Sequence, residues 1–261
     1  NDHYESAVRL LSDPRTAPLF QMSKEDKARY GGTDVGDACI IARNLIEADA
    51  GTRFIFLLHR DWDHHSNIYT RNNIYKRSEE LDPALSNLLE DLASRKRANG
   101  TSLLDETLVI AVGEFGRTPM VQGGSDGRDH HNRCFSFWLA GGGVKRGHVH
   151  GETDDLGFNV VRDPVHVNDL NATLLYLLGF DHKKLTYRVQ GLDMRLTGIA
   201  GNVVDGILGR RGGRIPGPYR FSLHAPEVTE VWHPLGEQLR LKSCFPLRLS
   251  EFAIIVTARA W

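Results

Sequence analysis

Long hydrophobic runs are missing from this sequence. No apolar stretch in its 261 residues approaches the ~18–20 that a membrane-spanning helix needs, so no membrane span is expected. An excess of one charge is missing too. Lys+Arg number 32 and Asp+Glu 33, a formal net charge of −1, so nothing global suggests a nucleic-acid partner. Cysteine is scarce. Cys39, Cys134 and Cys244 match no zinc-finger spacing, and each reads as a small buried hydrophobe. The odd count excludes full intramolecular pairing. There is no G-x-S-x-G nucleophile elbow, no P-loop and no G-x-G-x-x-G after a strand. Gly141-Gly142-Gly143 lacks both the spacing and a following helix. No signal peptide is visible; the chain opens on Asn1 with NDHYESAVRLL, which reads as helical. The expectation is a chain that begins inside a larger gene product, with any targeting segment upstream.

The rest of the composition is that of a folded domain. Hydrophobic residues are 41% and charged residues 25%, which excludes the disordered class. Residues 33–49 place Val35, Ala38, Cys39, Ala42, Leu45 and Ile46 at helical spacing, with Thr33 or Asp34 as cap. RFIFLLH (53–59) predicts a short strand. Residues 79–97 predict an amphipathic helix through Leu81, Leu85, Leu88, Leu89 and Leu92. TLVIAVG (107–113) and CFSFWLA (134–140) predict two more strands. Asn168 or Asp169 is expected to cap a helix through Leu170, Leu174, Leu175, Leu177 and Leu178, with Gly179 as its stop. Strands alternating with helices predict an α/β fold, a mostly parallel sheet flanked by helices. Sites in such sheets form on loops at the carboxyl ends of strands. The composition shifts near residue 206. Residues 206–261 hold 8 Lys+Arg against 4 Asp+Glu and no Asp. The expected division is therefore a domain over 1–205 and a basic tail or small appendage over 206–261.

Nine of the twelve histidines fall between His59 and His182, several beside carboxylates. Asp61-Trp62-Asp63-His64-His65 follows the first strand. A carboxylate and an imidazole two or four residues apart on one loop can reach the same cation, and zinc accepts such mixed ligands at ~2.0–2.2 Å. Glu114-Phe115-Gly116-Arg117 follows the second strand; it offers a carboxylate ligand and a guanidinium able to grip an anionic oxygen. Gly127-Arg128-Asp129-His130-His131 precedes the third strand. His148 and His150 lie on a glycine-rich loop and read better as cleft lining than as ligands. Each cluster alone is an ordinary polar loop. Three of them at strand ends in one α/β domain point to a metal site.

The segments WDHH (62–65), LVIAVGEFGRTPM (108–120), GRDHH (127–131), FWLAGGGVKRG (137–147), HVNDLNATLLYLLGFD (166–181) and LTYRVQGLDMRLT (185–197) resemble the bacterial domain of unknown function 1501 family, over about residues 2–205. That family is grouped with the alkaline phosphatase, sulfatase and phosphoglycerate mutase superfamily. The resemblance implies an alkaline-phosphatase/sulfatase-like fold, of which this chain would be the C-terminal part. It implies metal ligands at Asp63 and His65, with Asp61 as the alternative, and at Glu114 and His130, with Asp129 as ligand or outer partner. Phe115 stands where the superfamily has an imidazole, so one of two metal positions is altered or lost. The superfamily nucleophile would lie upstream of Asn1.

The implied activity is metal-dependent hydrolysis of a small anionic phosphate or sulfate ester. Zinc is the first choice of divalent metal, with manganese or calcium as alternatives, and Arg117 or Arg128 would orient the anion. The alternative is a non-catalytic exported binding or scaffold protein that retains the fold. Either would be periplasmic or exported, because such proteins often carry a twin-arginine-type leader. An exposed edge strand in a shortened sheet makes self-association expected.

Overall fold

The computed structural model describes residues 12–49 and 51–209, together with Glu5 and Val8. Most of the opening segment and the whole of 210–261, including Cys244, lie outside the described residues, and with them all of the expected tail but residues 206–209.

The helices follow the apolar spacing. Helix α1 (Lys24–Arg29) is capped by Ser23, whose hydroxyl accepts from the Asp26 amide. Helix α2 (Asp34–Ala48) starts at Thr33, whose hydroxyl accepts from the Gly36 amide; it buries Val35, Cys39, Ile40, Ala42 and Ile46 on one face. Asp49, in the left-handed conformation at φ 50°, ends it. Helix α3 spans Lys76–Ser94 rather than 79–97. It stops early because Arg95 turns extended and Lys96 bridges to Ser102. Helix α4 (Val167–Leu177) is capped by His166, not by Asn168 or Asp169. His166 Nδ1 accepts from the Asn168 amide, and the Asp169 carboxylate accepts from the His166 amide, a reciprocal capping box.

Strand β1 (Leu108–Ala111) lies between two apolar clusters, as its run of buried residues requires. Val109 packs with Tyr30, Ile40, Leu88, Leu92 and Leu103 in the α2–α3 core. Its neighbours Leu108 and Ile110 pack with Leu170, Leu174 and Leu177 of α4. Successive side chains of a strand point to opposite faces, so β1 is a middle layer with helices on both sides.

The ladders are all antiparallel and two-stranded among the described residues. β1 pairs with β4 (Trp138–Gly141), Leu108 opposite Gly141 and Ala111 opposite Trp138. β2 (Gly116–Arg117) pairs with β3 (His130–His131). β5 (Glu152–Thr153) pairs with β6 (Val160–Arg162), and β7 (Thr186–Val189) with β8 (Leu192–Arg195). Two expectations need correction. The third strand is confined to 138–141, because Cys134 lies against Gly116 instead of entering the ladder. The segment 53–59 has no ladder partner among the described residues. Its side chains still alternate as in a strand: Ile55 and Leu57 pack on the α2–α3 core, while Phe56 is 48% and Leu58 55% exposed. An apolar run fixes which side chains are buried; a ladder also needs a neighbouring backbone.

The helical layer is tied by a buried ionic cluster. Arg43 bonds Asp26 and Asp91, Arg29 bonds Asp91, and the Tyr30 hydroxyl donates to Asp91. Burial alone would push the Asp91 carboxyl up. Tyr30, Arg29 and Arg43 together overcome it and hold the group below its ordinary range. Cys39 and Cys134 are buried and unpaired by disulfide, as their sequence context suggested. At the other end, the described residues 206–209 stay on the domain. The Lys145 amide donates to Ile207 and the Gly209 amide to Gly143. No helix among the described residues is long and apolar enough to cross a membrane.

Candidate metal centre

Two chain segments build the site: the loop after 53–59, and the 114–131 excursion whose arms are β2 and β3. The β2–β3 register sets Arg117 opposite His130 and Gly116 opposite His131. Directly opposed residues of an antiparallel pair share a face. Arg117 and His130 therefore project together toward the 61–65 loop. His131 turns inward, where its ring stacks on Phe158 and Nε2 donates to the Phe158 carbonyl at 2.6 Å. Gly116 has to be glycine, because a Cβ there would lie 2.0 Å from the Cys134 carbonyl oxygen.

The 61–65 loop is anchored on α3. Trp62 Nε1 donates to His59 Nδ1, which leaves His59 Nε2 to donate to Glu80 at 3.1 Å. Arg77 reaches Asp61 and Glu80. Asp61 takes a positive φ of 65°, which lets the chain reverse before Asp63. The loop is also gripped by residues 122–128. The Arg128 amide donates to the His64 carbonyl at 3.0 Å, and Ser125 Oγ to the His65 carbonyl at 2.9 Å. The Asn67 amide donates to Asp126.

Asp63, His65 and His130 converge, from positions up to 67 residues apart. His65 Nε2 lies 2.9 Å from Asp63 Oδ1 and 3.1 Å from His130 Nε2, and His130 Nε2 lies 3.3 Å from Asp63 Oδ1. His65 Nδ1 lies 2.9 Å from Gln122 Oε1. Arg117 donates to the same Asp63 oxygen and, at 3.2 Å, to Glu114. The Arg117 guanidinium holds the Asp63 carboxyl below the ordinary carboxylate range, with His130 adding to the effect. His64 is not one of the three converging groups. Burial, helped by the Arg117 and Arg77 cations, lowers its pKa, and its Nε2 is enclosed without a hydrogen-bond partner.

The other residues expected in the site are placed differently. Glu114 is reached through Arg117 and is outside the triad. Asp129 spends its side chain on its own strand, accepting from the His130 amide at 2.7 Å. Asp61 pairs with Arg77 and not with the imidazoles. Arg128 is turned onto the Asp126 and Gly127 carbonyls and the Tyr69 hydroxyl, with its guanidinium over the Tyr69 ring, so Arg117 is the arginine at the triad. Phe115 lies against His130, ring centroids 4.5 Å apart and planes tilted by 51°, and sits under Arg117. His148 and His150 are 6.1 Å apart and belong to no ligand cluster among the described residues. Gln122 and Ser125 are the site residues that sequence reasoning missed; nothing in a Gln or Ser two turns away from a motif marks it as a partner of His65.

The triad passes a test of fit to a small divalent cation. A tetrahedral ion bonded at ~2.0–2.2 Å needs ligand atoms roughly 3.3–3.6 Å apart, so the triad, at 2.9–3.3 Å, would open by a few tenths of an ångström to take it. The donors are also right: one carboxylate oxygen and two imidazole nitrogens are the mixed set that zinc accepts.

These features define a helix-flanked domain with an exposed carboxylate–imidazole triad beside an arginine. The sequence model of the family described as protein of unknown function (DUF1501) matches residues 1–208, and the chain belongs to that family. No curated protein and no solved structure matches it.

Proposed function

We propose that Asp63, His65 and His130 hold one divalent cation, zinc by preference, in a domain that hydrolyses phosphate or sulfate esters. The observation that carries this reading is the convergence of three ligand atoms within 3.3 Å with a guanidinium on the same carboxylate. When bound, the cation would act as a Lewis acid on an ester oxygen. Arg117 has a planar donor fork and sits at the rim of the triad, so it is the group that would orient the anionic part of the substrate. Asp63 would then exchange part of its bond to Arg117 for the cation. Phe115 supports a single-metal site, since it sets an apolar ring against His130 where a second imidazole would be needed. The doubly covered β1 is the feature that supports a place near the alkaline phosphatase and sulfatase superfamily.

Phe115 also favours a second reading, a binding domain with one structural metal and no turnover. Two measurements separate the possibilities. Chelator-washed protein reloaded with zinc should retain about one ion per chain by elemental mass spectrometry. Asp63→Ala and His130→Ala should lose it. Retained zinc in the double variant would rule the site out. Hydrolysis of an aryl phosphate or aryl sulfate that depends on Arg117 supports the enzyme; zinc without hydrolysis supports the binding domain.

A further inference from the structure

We propose that the cleft between Trp62 and Trp138 holds the aromatic part of the ester, so that the substrates are aryl esters. The inference rests on the hydrolase reading for the reaction, and on the cleft alone for the ring. The cleft has a volume of about 370 Å³. Its floor is one stripe of α3. Leu81, Leu85 and Leu89 lie one turn apart, pack against the margin of the α2–α3 core and turn their outer surfaces to the cleft. Its walls are Trp62 and Trp138. The sequence has four tryptophans, and both of those among the described residues stand here. Trp62 is 36% and Trp138 38% exposed. An indole left partly in water offers its carbon surface to a flat ligand ring.

The cleft adjoins the loops that carry the triad. Trp62 directly precedes Asp63 in the chain. Its indole N–H is spent on His59 Nδ1 at 3.2 Å, and the two rings meet edge to face at 5.4 Å between centroids, which fixes the plane of the indole. His59 is held in turn by Glu80 of α3. Trp138 lies opposite Ala111, the last residue of β1, and the chain that leaves β1 there runs on to Glu114 and Arg117. Cleft and triad thus belong to the same two strand ends. Their chemistry is complementary. The triad side offers a cation site and a guanidinium. The one charged residue lining the cleft is an acid, Asp82, which repels an anion. The anionic end of an ester therefore belongs at Arg117, and its uncharged end in the cleft. Ligand pockets run from roughly 300 to 1,000 Å³, so a cleft at the lower end takes a single ring system and not an oligosaccharide or a peptide. Two indole walls favour a flat aromatic ring over an alkyl chain, because aromatic pairs gain from offset or edge-on contact beyond the area they bury.

The test uses the full chain and three proteins: wild type, Trp138→Ala and Ser86→Phe. Trp138→Ala removes one wall. Ser86→Phe puts a ring into the cleft from an exposed position on α3 that lines it, and so leaves the core alone should Trp138→Ala fail to fold. Naphthol, an uncharged aromatic probe, is titrated into each metal-free protein by calorimetry. Wild type should bind it saturably, and both variants should bind it roughly 10–100-fold more weakly. In zinc-loaded wild type, naphthyl phosphate or naphthyl sulfate should be hydrolysed in preference to the methyl ester, and Ser86→Phe should shrink that preference by roughly the same factor. No naphthol bound by wild type, or equal binding by wild type and Ser86→Phe, overturns the proposal. So does octanol bound more tightly than naphthol, which would make the occupant an alkyl chain, or equal hydrolysis of naphthyl and methyl esters. Naphthol bound in the cleft with no ester hydrolysed supports the aromatic site and overturns the hydrolase reading instead.

Discussion

Gly127→Ala is the most demanding perturbation of this site, because it adds a single methyl group. Gly127 is buried, and a Cβ there would lie 2.0 Å from the His65 carbonyl carbon, 2.1 Å from its oxygen and 2.4 Å from the Ser66 nitrogen. Ordinary contacts need roughly 3.5–4.0 Å. The obstacle is backbone, which cannot rotate aside, so the 122–128 loop and the 64–67 segment must separate by more than about 1 Å. That opening strains or breaks the bonds from the Arg128 amide to His64, from Ser125 Oγ to His65 and from the Asn67 amide to Asp126. Overpacking costs about 1–3 kcal/mol, and each lost hydrogen bond about 0.5–1.5 kcal/mol. The expected loss is about 2–4 kcal/mol, a fall of roughly 5–15 °C in thermal midpoint for a domain of this size. Metal sites tolerate ligand displacements of only about 0.2 Å, so zinc affinity should fall more than tenfold. The assay pairs a melting curve with a zinc titration. Gly123→Ala serves as control, since nothing lies within 4 Å of its added Cβ. If Gly127→Ala matched wild type in both readings, the account of how this loop holds His65 would be wrong.

Asp91→Ala should destabilise the protein by about 3–5 kcal/mol in urea unfolding, because it removes one of the two carboxylates that bond the buried Arg43 charge; a loss under 1 kcal/mol would contradict the role given to this cluster. Its native pKa lies below the unfolded value, so its contribution is present above about pH 4 and fades as pH falls through the lower native value. Wild type should therefore lose its stability advantage over Asp91→Asn on acidification, and an advantage unchanged from pH 7 to pH 2 would refute the sign. Burial pushes the Cys39 thiol up to about 12, so at pH 8 a thiol reagent should reach it only through unfolding. Peptide mapping after native labelling checks this, and rapid modification of Cys39 in the folded protein would contradict its burial.

Part of this arrangement was legible in the residues alone. The α2 and α3 helices follow from apolar residues every three or four positions, and the α2 start was narrowed to Thr33 or Asp34, of which Thr33 is the cap, its hydroxyl satisfying an orphan amide. The run 107–113 announced a strand buried on both faces, which β1 is. His166 as cap was not legible, since histidine is rarely read as one and the stronger acceptors Asn168 and Asp169 followed it.

The sequence by itself determined the local elements and the supply of ligands: carboxylates and imidazoles on loops next to apolar runs. Those choices depend on interactions within a few residues, and their period is written in the chain. The tertiary structure decided which of Asp61, Asp63, Glu114 and Asp129 meets His65 and His130, and the answer is Asp63. It decided that Arg117 and not Arg128 reaches that carboxylate, and that Gln122 holds the ring behind it. These are contacts between groups more than fifty residues apart, set by the β2–β3 register and by the fit of Gly127 against His65. A pattern of period two or 3.6 says which way a side chain faces; only the packed chain says what it faces.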